Sequence, residues 1–202
     1  MNTVYIKSFE APDYNKKEIL RYAGAKEPLP ELEALLDECL TLVKDKLSYK
    51  VCFCEVEVTQ QGETLCMGTL KTQSKDLCKN LSGCERAMIF GATVGFSLDR
   101  LIAHYGTASP AKALMLQAIG AERIESLCDV FNKEISAKAN AQGKATRPRF
   151  SPGYGDLPLE MQKDIFALLD CSRKIGLTLN ESLLMSPSKS VTAIIGICEN
   201  EE

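Results

Sequence analysis

Between Arg147 and Pro158 the chain reads Arg-Pro-Arg-Phe-Ser-Pro-Gly-Tyr-Gly-Asp-Leu-Pro, and further on Glu181 to Val191 reads Glu-Ser-Leu-Leu-Met-Ser-Pro-Ser-Lys-Ser-Val. The first stretch joins a permanent cation, a phenolic hydroxyl and two glycines. Pro148, Pro152 and Pro158 fix φ and remove backbone donors, whereas Gly153 and Gly155 permit backbone angles and close approaches that a side chain would obstruct. Such a stretch reads as a built loop, not as regular helix or strand. Arg149 offers a planar fork that holds a carboxylate through two parallel hydrogen bonds, a geometry lysine cannot reproduce. Ser151 through Gly155 can present backbone amides and carbonyls at close range. On these residues alone the loop is either a ligand site or an ordinary structural turn of the kind glycine and proline punctuate.

The surrounding elements follow from periodicity. Residues 15 to 23 read as a short helix closed by Gly24, and Pro28-Leu-Pro30 introduces a longer one to about Leu47, with Leu32, Leu35, Leu36, Cys39, Leu40, Val43 and Leu47 on a buried stripe. From Tyr49 to Val58 the period becomes two, with Cys52, Cys54, Val56 and Val58 on one face and Glu55 and Glu57 on the other. A turn at Gln60-Gln-Gly62 returns Glu63 to Leu70 as the second strand of a hairpin. A short helix spans Lys75 to Leu81, an apolar strand runs from Ala87 to Val94, and a helix from Ser97 is ended by Gly106. Ser109-Pro110 supplies a capping hydroxyl and a first-turn proline for a helix that runs to Lys138, with an irregularity at Gly120. Asp156 caps a helix from Pro158 to Lys174 that Gly176 ends, and Val191 to Cys198 forms the last strand. Hairpin-like strands without regular strand-helix alternation predict an α+β fold: a single domain over residues 1–202, mainly antiparallel sheet with several long helices.

At 202 residues, 45% hydrophobic and 25% charged, the chain has the composition of a soluble globular domain with a substantial core. A net charge of −3 with scattered lysines gives no basic field, which argues against nucleic acid as a partner. The N-terminus lacks a signal-peptide core, and no stretch approaches the roughly 20 apolar residues that span a bilayer. A cytoplasmic protein without membrane attachment is expected. Nine cysteines, an odd number spread through apolar segments, read as reduced thiols and not as a disulfide framework. Cys52 and Cys54 share a strand face and Cys66 could approach them across the hairpin, but the spacing lacks a metal knuckle and no histidine is near, so no metal site is assigned. His104, the single histidine, reads as packing or surface.

The pattern Arg149-x-Ser-Pro-Gly-Tyr154, a helix, then Glu181-Ser182, Met185, Pro187 and Ser190-Val191, resembles the reactivation domain of cobalamin-dependent methionine synthase, the module that binds S-adenosylmethionine (SAM). The likeness runs from Arg149 to about Ile197. It implies that Arg149, Ser151, Pro152, Gly153 and Tyr154 line a SAM site, with Tyr154 where the methyl group meets the corrin. Glu125, in Ala121-Glu-Arg-Ile-Glu-Ser, falls where the family places a helical carboxylate, and Asn15 where it places an N-terminal aspartate that pairs with the ligand's ammonium. Glu181 and Ser182 are expected to cap or brace the final loop, and Lys189 to be a solvated charge.

The implied chemistry is the rescue of an oxidised cofactor. Cob(II)alamin, formed when cobalt(I) is lost to oxidation, is reduced by an electron donor and trapped as methylcobalamin by the methyl group of SAM. The cofactor is itself the nucleophile, so no side chain has to act as a base, and the protein contributes orientation. The chain is too short for the several modules of a complete synthase, so the resemblance implies a free-standing unit. Its partners would be a cobalamin-binding methionine synthase chain or related corrinoid protein, which carries the cobalamin, and a reducing partner, flavodoxin-like or other. The family's adenine contacts lie on a strand beyond the end of this sequence, so adenine recognition is expected to be different, weaker or absent. A second reading is a corrinoid-protein interaction module with weak or no SAM binding, and a third is a thiol-based metal or redox protein.

Overall fold

Ala87 to Val94 is apolar without alternation, which only a strand covered on both faces can sustain, and that strand lies at the centre of the sheet. The computed structural model describes residues 2–25, 27 and 29–200. In chain order the elements are β1 (Tyr5–Phe9), α1 (Lys16–Tyr22), α2 (Pro30–Val43), β2 (Tyr49–Gln61), β3 (Thr64–Met67), β4 (Leu70–Thr72), α3 (Lys75–Asn80) and β5 (Cys84–Thr93). They continue with α4 (Ser97–Ala108), α5 (Pro110–Asn140), β6 (Lys144–Thr146), α6 (Met161–Leu169), α7 (Cys171–Ile175), β7 (Thr178–Leu179), β8 (Met185–Ser186) and β9 (Ser190–Glu199). The main sheet has the order β4-β3-β2-β5-β9-β6, with β1 beside the first half of β2, and every pairing is antiparallel. The α+β reading holds.

Helices cover both faces. On one, Val51, Phe90, Ala92, Ala193 and Ile195 pack against α1, α2 and α5 around Phe131. On the other, Cys52, Cys54, Val56, Ile89 and Ile194 pack against α3, α6 and α7. The expected two-period of Tyr49 to Val58 therefore describes only the outer half of β2. Its inner half is buried on both faces, with Val51, Cys52 and Cys54 all at 0% exposure.

Several boundaries differ from the sequence reading, each for a local reason. Pro28 lies outside the described residues; α2 starts at Pro30 and stops at Val43, because Asp45 turns the chain through a positive φ. The return strand of the hairpin breaks at Gly68, where φ is +58°, and resumes as β4. α4 passes through Gly106 and ends at Ala108. Ser109 precedes α5 but its side chain makes no capping hydrogen bond. Gly120 does not disturb α5; a Cβ there would lie 2.4 Å from Leu98 and 2.8 Å from Lys189, so the glycine lets α4 and the β9 approach pack directly on the helix. The helix expected from Pro158 to Lys174 is two, α6 and α7, broken at Asp170 in the left-handed region.

Candidate functional site

The signature segment begins as an interrupted edge strand. After β6, the Arg147 amide donates to the Gly196 carbonyl, and Phe150 exchanges two 2.8 Å hydrogen bonds with Ile194. Phe150 is buried among the α6 and α7 side chains. The chain then leaves the sheet in a tight loop closed by hydrogen bonds from Gly153 N to Leu157 O and from Tyr154 N to Ser151 O. Gly153 and Tyr154 thus spend their amides on the loop itself. Pro152 is buried beneath it, and Ser151 is half-buried.

Asp156 does not cap α6. Its carboxylate accepts from the Ser74 hydroxyl and from the Lys75 and Asp76 amides, the latter two at 2.7 and 3.2 Å, so it closes the start of α3. The Asp156 amide donates in return to Asp76. These hydrogen bonds, that of the Ser74 hydroxyl first, hold its pKa below the ordinary aspartate value. Gly155 is fixed by this contact: its φ is +55°, and a Cβ would fall 2.3 Å from Asp76 Oδ2. The loop is stapled to α3 as one rigid piece.

Arg149 and Glu125, each expected at the ligand site, are in contact with each other. The Arg149 guanidinium donates from Nη2 to Glu125 and from Nη1 to Asp129 at 3.2 Å, bridging two carboxylates one turn apart on α5. The arginine is 24% exposed, Glu125 42% and Asp129 62%, so the group is open to solvent. Tyr154, 69% exposed, packs edge-on against Phe150 at 5.4 Å. It borders an open cleft of about 560 Å³ lined also by Asp76, Lys79, Asn80, Arg147 and Pro148. Arg149 is not among the cleft's lining residues; the structure brings together Arg149 with Glu125 and, separately, Tyr154 with Arg147 and α3.

Asn15 has a capping role: its side chain accepts from the Glu18 amide at 3.2 Å, and its own amide donates to Glu122. Glu122 belongs to a network that the sequence reading missed. Arg123, 0% exposed, donates to both Glu122 oxygens at 2.6 Å and to the Pro12 and Asp13 carbonyls at 2.5 and 2.7 Å. Its guanidinium also lies over the Tyr14 ring, 4.1 Å from the centroid. Burial works to lower the Arg123 pKa, but the hydrogen bond and charge of Glu122 more than offset it, so the pKa is raised. The signal was present in the spacing: Leu116, Arg123, Leu127 and Phe131 share the buried stripe of α5, which aims the arginine inward.

Other sequence candidates have structural surroundings. The final loop is braced by Asn180, whose side chain accepts from the Leu184 amide at 2.9 Å; Glu181 and Ser182 are exposed. Lys189 is half-buried against Gly120, and that burial lowers its pKa, with Asp99 opposing. All nine cysteines are free thiols. Cys66 pairs with Thr59, which puts it on the opposite face of the hairpin from Cys52 and Cys54. Among the described residues no three histidine, cysteine or acidic side chains converge on a common point. His104 is exposed beside Tyr105. Among the described residues no helix is long and apolar enough to cross a membrane.

The vitamin B12 dependent methionine synthase activation domain family matches residues 58–201. A crystal structure of the MetH reactivation domain bound to AdoHcy superposes with a TM-score of 0.71 at 16% identity, covering 99% of this chain and 80% of that one. No curated protein matches the sequence.

Proposed function

The chain belongs to the vitamin B12 dependent methionine synthase activation domain family, and from that premise we propose that it binds SAM and supports reductive methylation of cob(II)alamin held on a separate corrinoid-binding chain. The observation that carries this reading is the Arg149–Glu125 contact. An α-amino-acid head group is a zwitterion, and an exposed arginine-carboxylate pair is its complement: the guanidinium takes the ligand's carboxylate and Glu125 its ammonium. The structural neighbour was crystallised with AdoHcy, the same head group.

In this reading Arg149 and Glu125 anchor the amino-acid end of SAM. The loop of Ser151, Pro152, Gly153 and Tyr154, held rigid by the Asp156 contacts with α3, gives the methyl group a fixed direction. The corrin carried by the partner supplies the nucleophilic metal. The contribution of this chain is to hold the donor in line and keep Tyr154 exposed toward the partner, which is catalysis by orientation. A reducing partner supplies the electron.

Titration calorimetry with SAM, for the wild type and Arg149→Ala, tests the site. Saturable binding that the substitution weakens supports it, and unchanged affinity removes Arg149 from it. Tyr154→Phe tests the hydroxyl: a slower remethylation of the partner's corrinoid at unaltered SAM affinity is expected, and an unaltered rate reduces Tyr154 to packing. The reading of a corrinoid-docking module with weak SAM binding rests on the two carboxylates that already occupy Arg149. Absence of SAM binding by the wild type would favour it.

A further inference from the structure

Cys52 and Cys171 are 119 positions apart in the chain, yet their sulfurs lie 3.8 Å from each other. Both residues are at 0% exposure. Cys52 sits inside β2, paired with Ile6 of β1 on one side and with Gly91 of β5 on the other. Cys171 opens α7, a five-residue helix bounded by Asp170 and Gly176, both in the left-handed region. Gly91 makes the meeting possible, because a Cβ there would stand 3.2 Å from the Cys171 sulfur and 3.5 Å from that of Cys52. The hydrogen bond between the two sulfurs lowers the Cys52 pKa against the effect of burial, and together with burial it raises that of Cys171. Cys171 therefore keeps its proton and donates it to the Cys52 sulfur. Cys54 and Cys128, by contrast, are pushed up by burial to about 11 and about 12.

We propose that Cys52 and Cys171 form a redox site, a dithiol that hydrogen peroxide converts into a disulfide tying α7 to β2. The Cys52 thiolate attacks one peroxide oxygen: an S–O bond forms, the O–O bond breaks, and the departing hydroxide takes up the Cys52 proton as water. The Cys171 sulfur then attacks the sulfenic sulfur of Cys52. The S–S bond forms, the S–O bond breaks, and the second hydroxide leaves with the Cys171 proton. Two thiols and one peroxide thus give one disulfide and two waters. A disulfide is about 2.05 Å long, so closure draws one element toward the other. β2 is held by strands on both sides at Cys52, which leaves the short α7, hinged at Asp170 and Gly176, as the piece that moves. Local opening of α7 also admits the peroxide. Cys84 and Cys198, Cα partners across β5 and β9, are the competing pair. The Cys198 thiol is directed elsewhere, donating to the Ala145 carbonyl at 3.6 Å.

The test is non-reducing peptide mapping of the full chain by mass spectrometry, after hydrogen peroxide treatment of the reduced protein and alkylation of the remaining thiols. The treatment is made in native buffer and, in parallel, in denaturing urea. The expected result in native buffer is a Cys52–Cys171 cross-linked peptide that dithiothreitol removes, with two fewer alkylated thiols per chain. Its share of all cross-linked peptides should fall several-fold in urea, where a long open loop separates the two cysteines. In Cys171→Ser, dimedone should trap a sulfenic acid at Cys52. A cross-link between Cys84 and Cys198 with Cys52 and Cys171 still alkylated would overturn the proposal. Oxidation of Cys52 to the sulfinic acid without a cross-link would do so too, as would an equal or larger share of the cross-link in urea. If Cys171→Ser does not fold, the wild-type maps decide alone.

Discussion

Glu122 and Glu125 lie within one turn of α5, each bonded to an arginine, but the Glu122–Arg123 pair is 3% and 0% exposed whereas Glu125 and Arg149 are 42% and 24% exposed. The buried pair is saturated: Arg123 also reaches two backbone carbonyls, and Glu122 takes the Ser126 hydroxyl and the Asn15 amide. It ties the segment from Pro12 to Asn15 onto the long helix. In the exposed assembly one guanidinium is divided between two carboxylates and open to water. The same residue chemistry thus builds a staple where each guanidinium nitrogen has an interior partner, and a solvent-open group where water competes for the same donors.

The comparison is broken most forcefully at Arg123. Arg123→Ala leaves the Glu122 carboxylate buried without its cation, and breaking such a pair typically costs about 3–5 kcal/mol. Urea denaturation should show a loss of that order. A loss under about 1 kcal/mol, as for a surface pair, would show that the network is replaceable. Arg149→Ala should do the reverse. SAM affinity is expected to fall by roughly 1.5–3 kcal/mol, as for a lost charged hydrogen bond, while folding stability changes by less than about 1 kcal/mol because the pair is solvated. Equal effects of the two substitutions on stability would erase the distinction between staple and site.

Much of this architecture was legible in the chain, and the failures have a common origin. The apolar run in β5, the stripe of α2 and the Gly62 hairpin all depend on local periodicity or on turn residues, which sequence records directly. Asp156 was misassigned because a carboxylate before an apolar run looks like a cap for that run. Its actual partners, Ser74 to Asp76, are some eighty positions away and become visible only in three dimensions. Arg123 was overlooked because an arginine on a helix is ordinarily solvated, although its place in the stripe with Leu116 and Leu127 pointed inward. Arg147 and Tyr154 share a cleft because the edge strand is interrupted between Arg147 and Phe150, a bend that no period reports.

The smallest effect concerns the opposite side of the signature loop from Arg149, where a carboxylate holds one hydroxyl and two backbone amides. The Asp156 pKa is held below the ordinary aspartate value by the Ser74 hydroxyl and the Lys75 and Asp76 amides. For a depressed carboxyl pKa the contribution to stability is fully present above the unfolded value, about 3.9, and is lost as pH falls through the folded one. The staple between the loop and α3 should therefore be intact at neutral pH and release only in acid, below about pH 4. Carboxyl-detected NMR should place the Asp156 midpoint below the ordinary aspartate value, with the Lys75 and Asp76 amide shifts moving on the same curve. In Asp156→Asn that acid transition should disappear because the staple is already weakened at neutral pH, where one oxygen is left to accept and the amide nitrogen takes the place of an acceptor. A midpoint at or above the ordinary value, or amides that do not follow it, would mean that Gly155 and the Phe150 rung hold the loop without Asp156, and that the rigidity assigned to Tyr154 has a purely steric source.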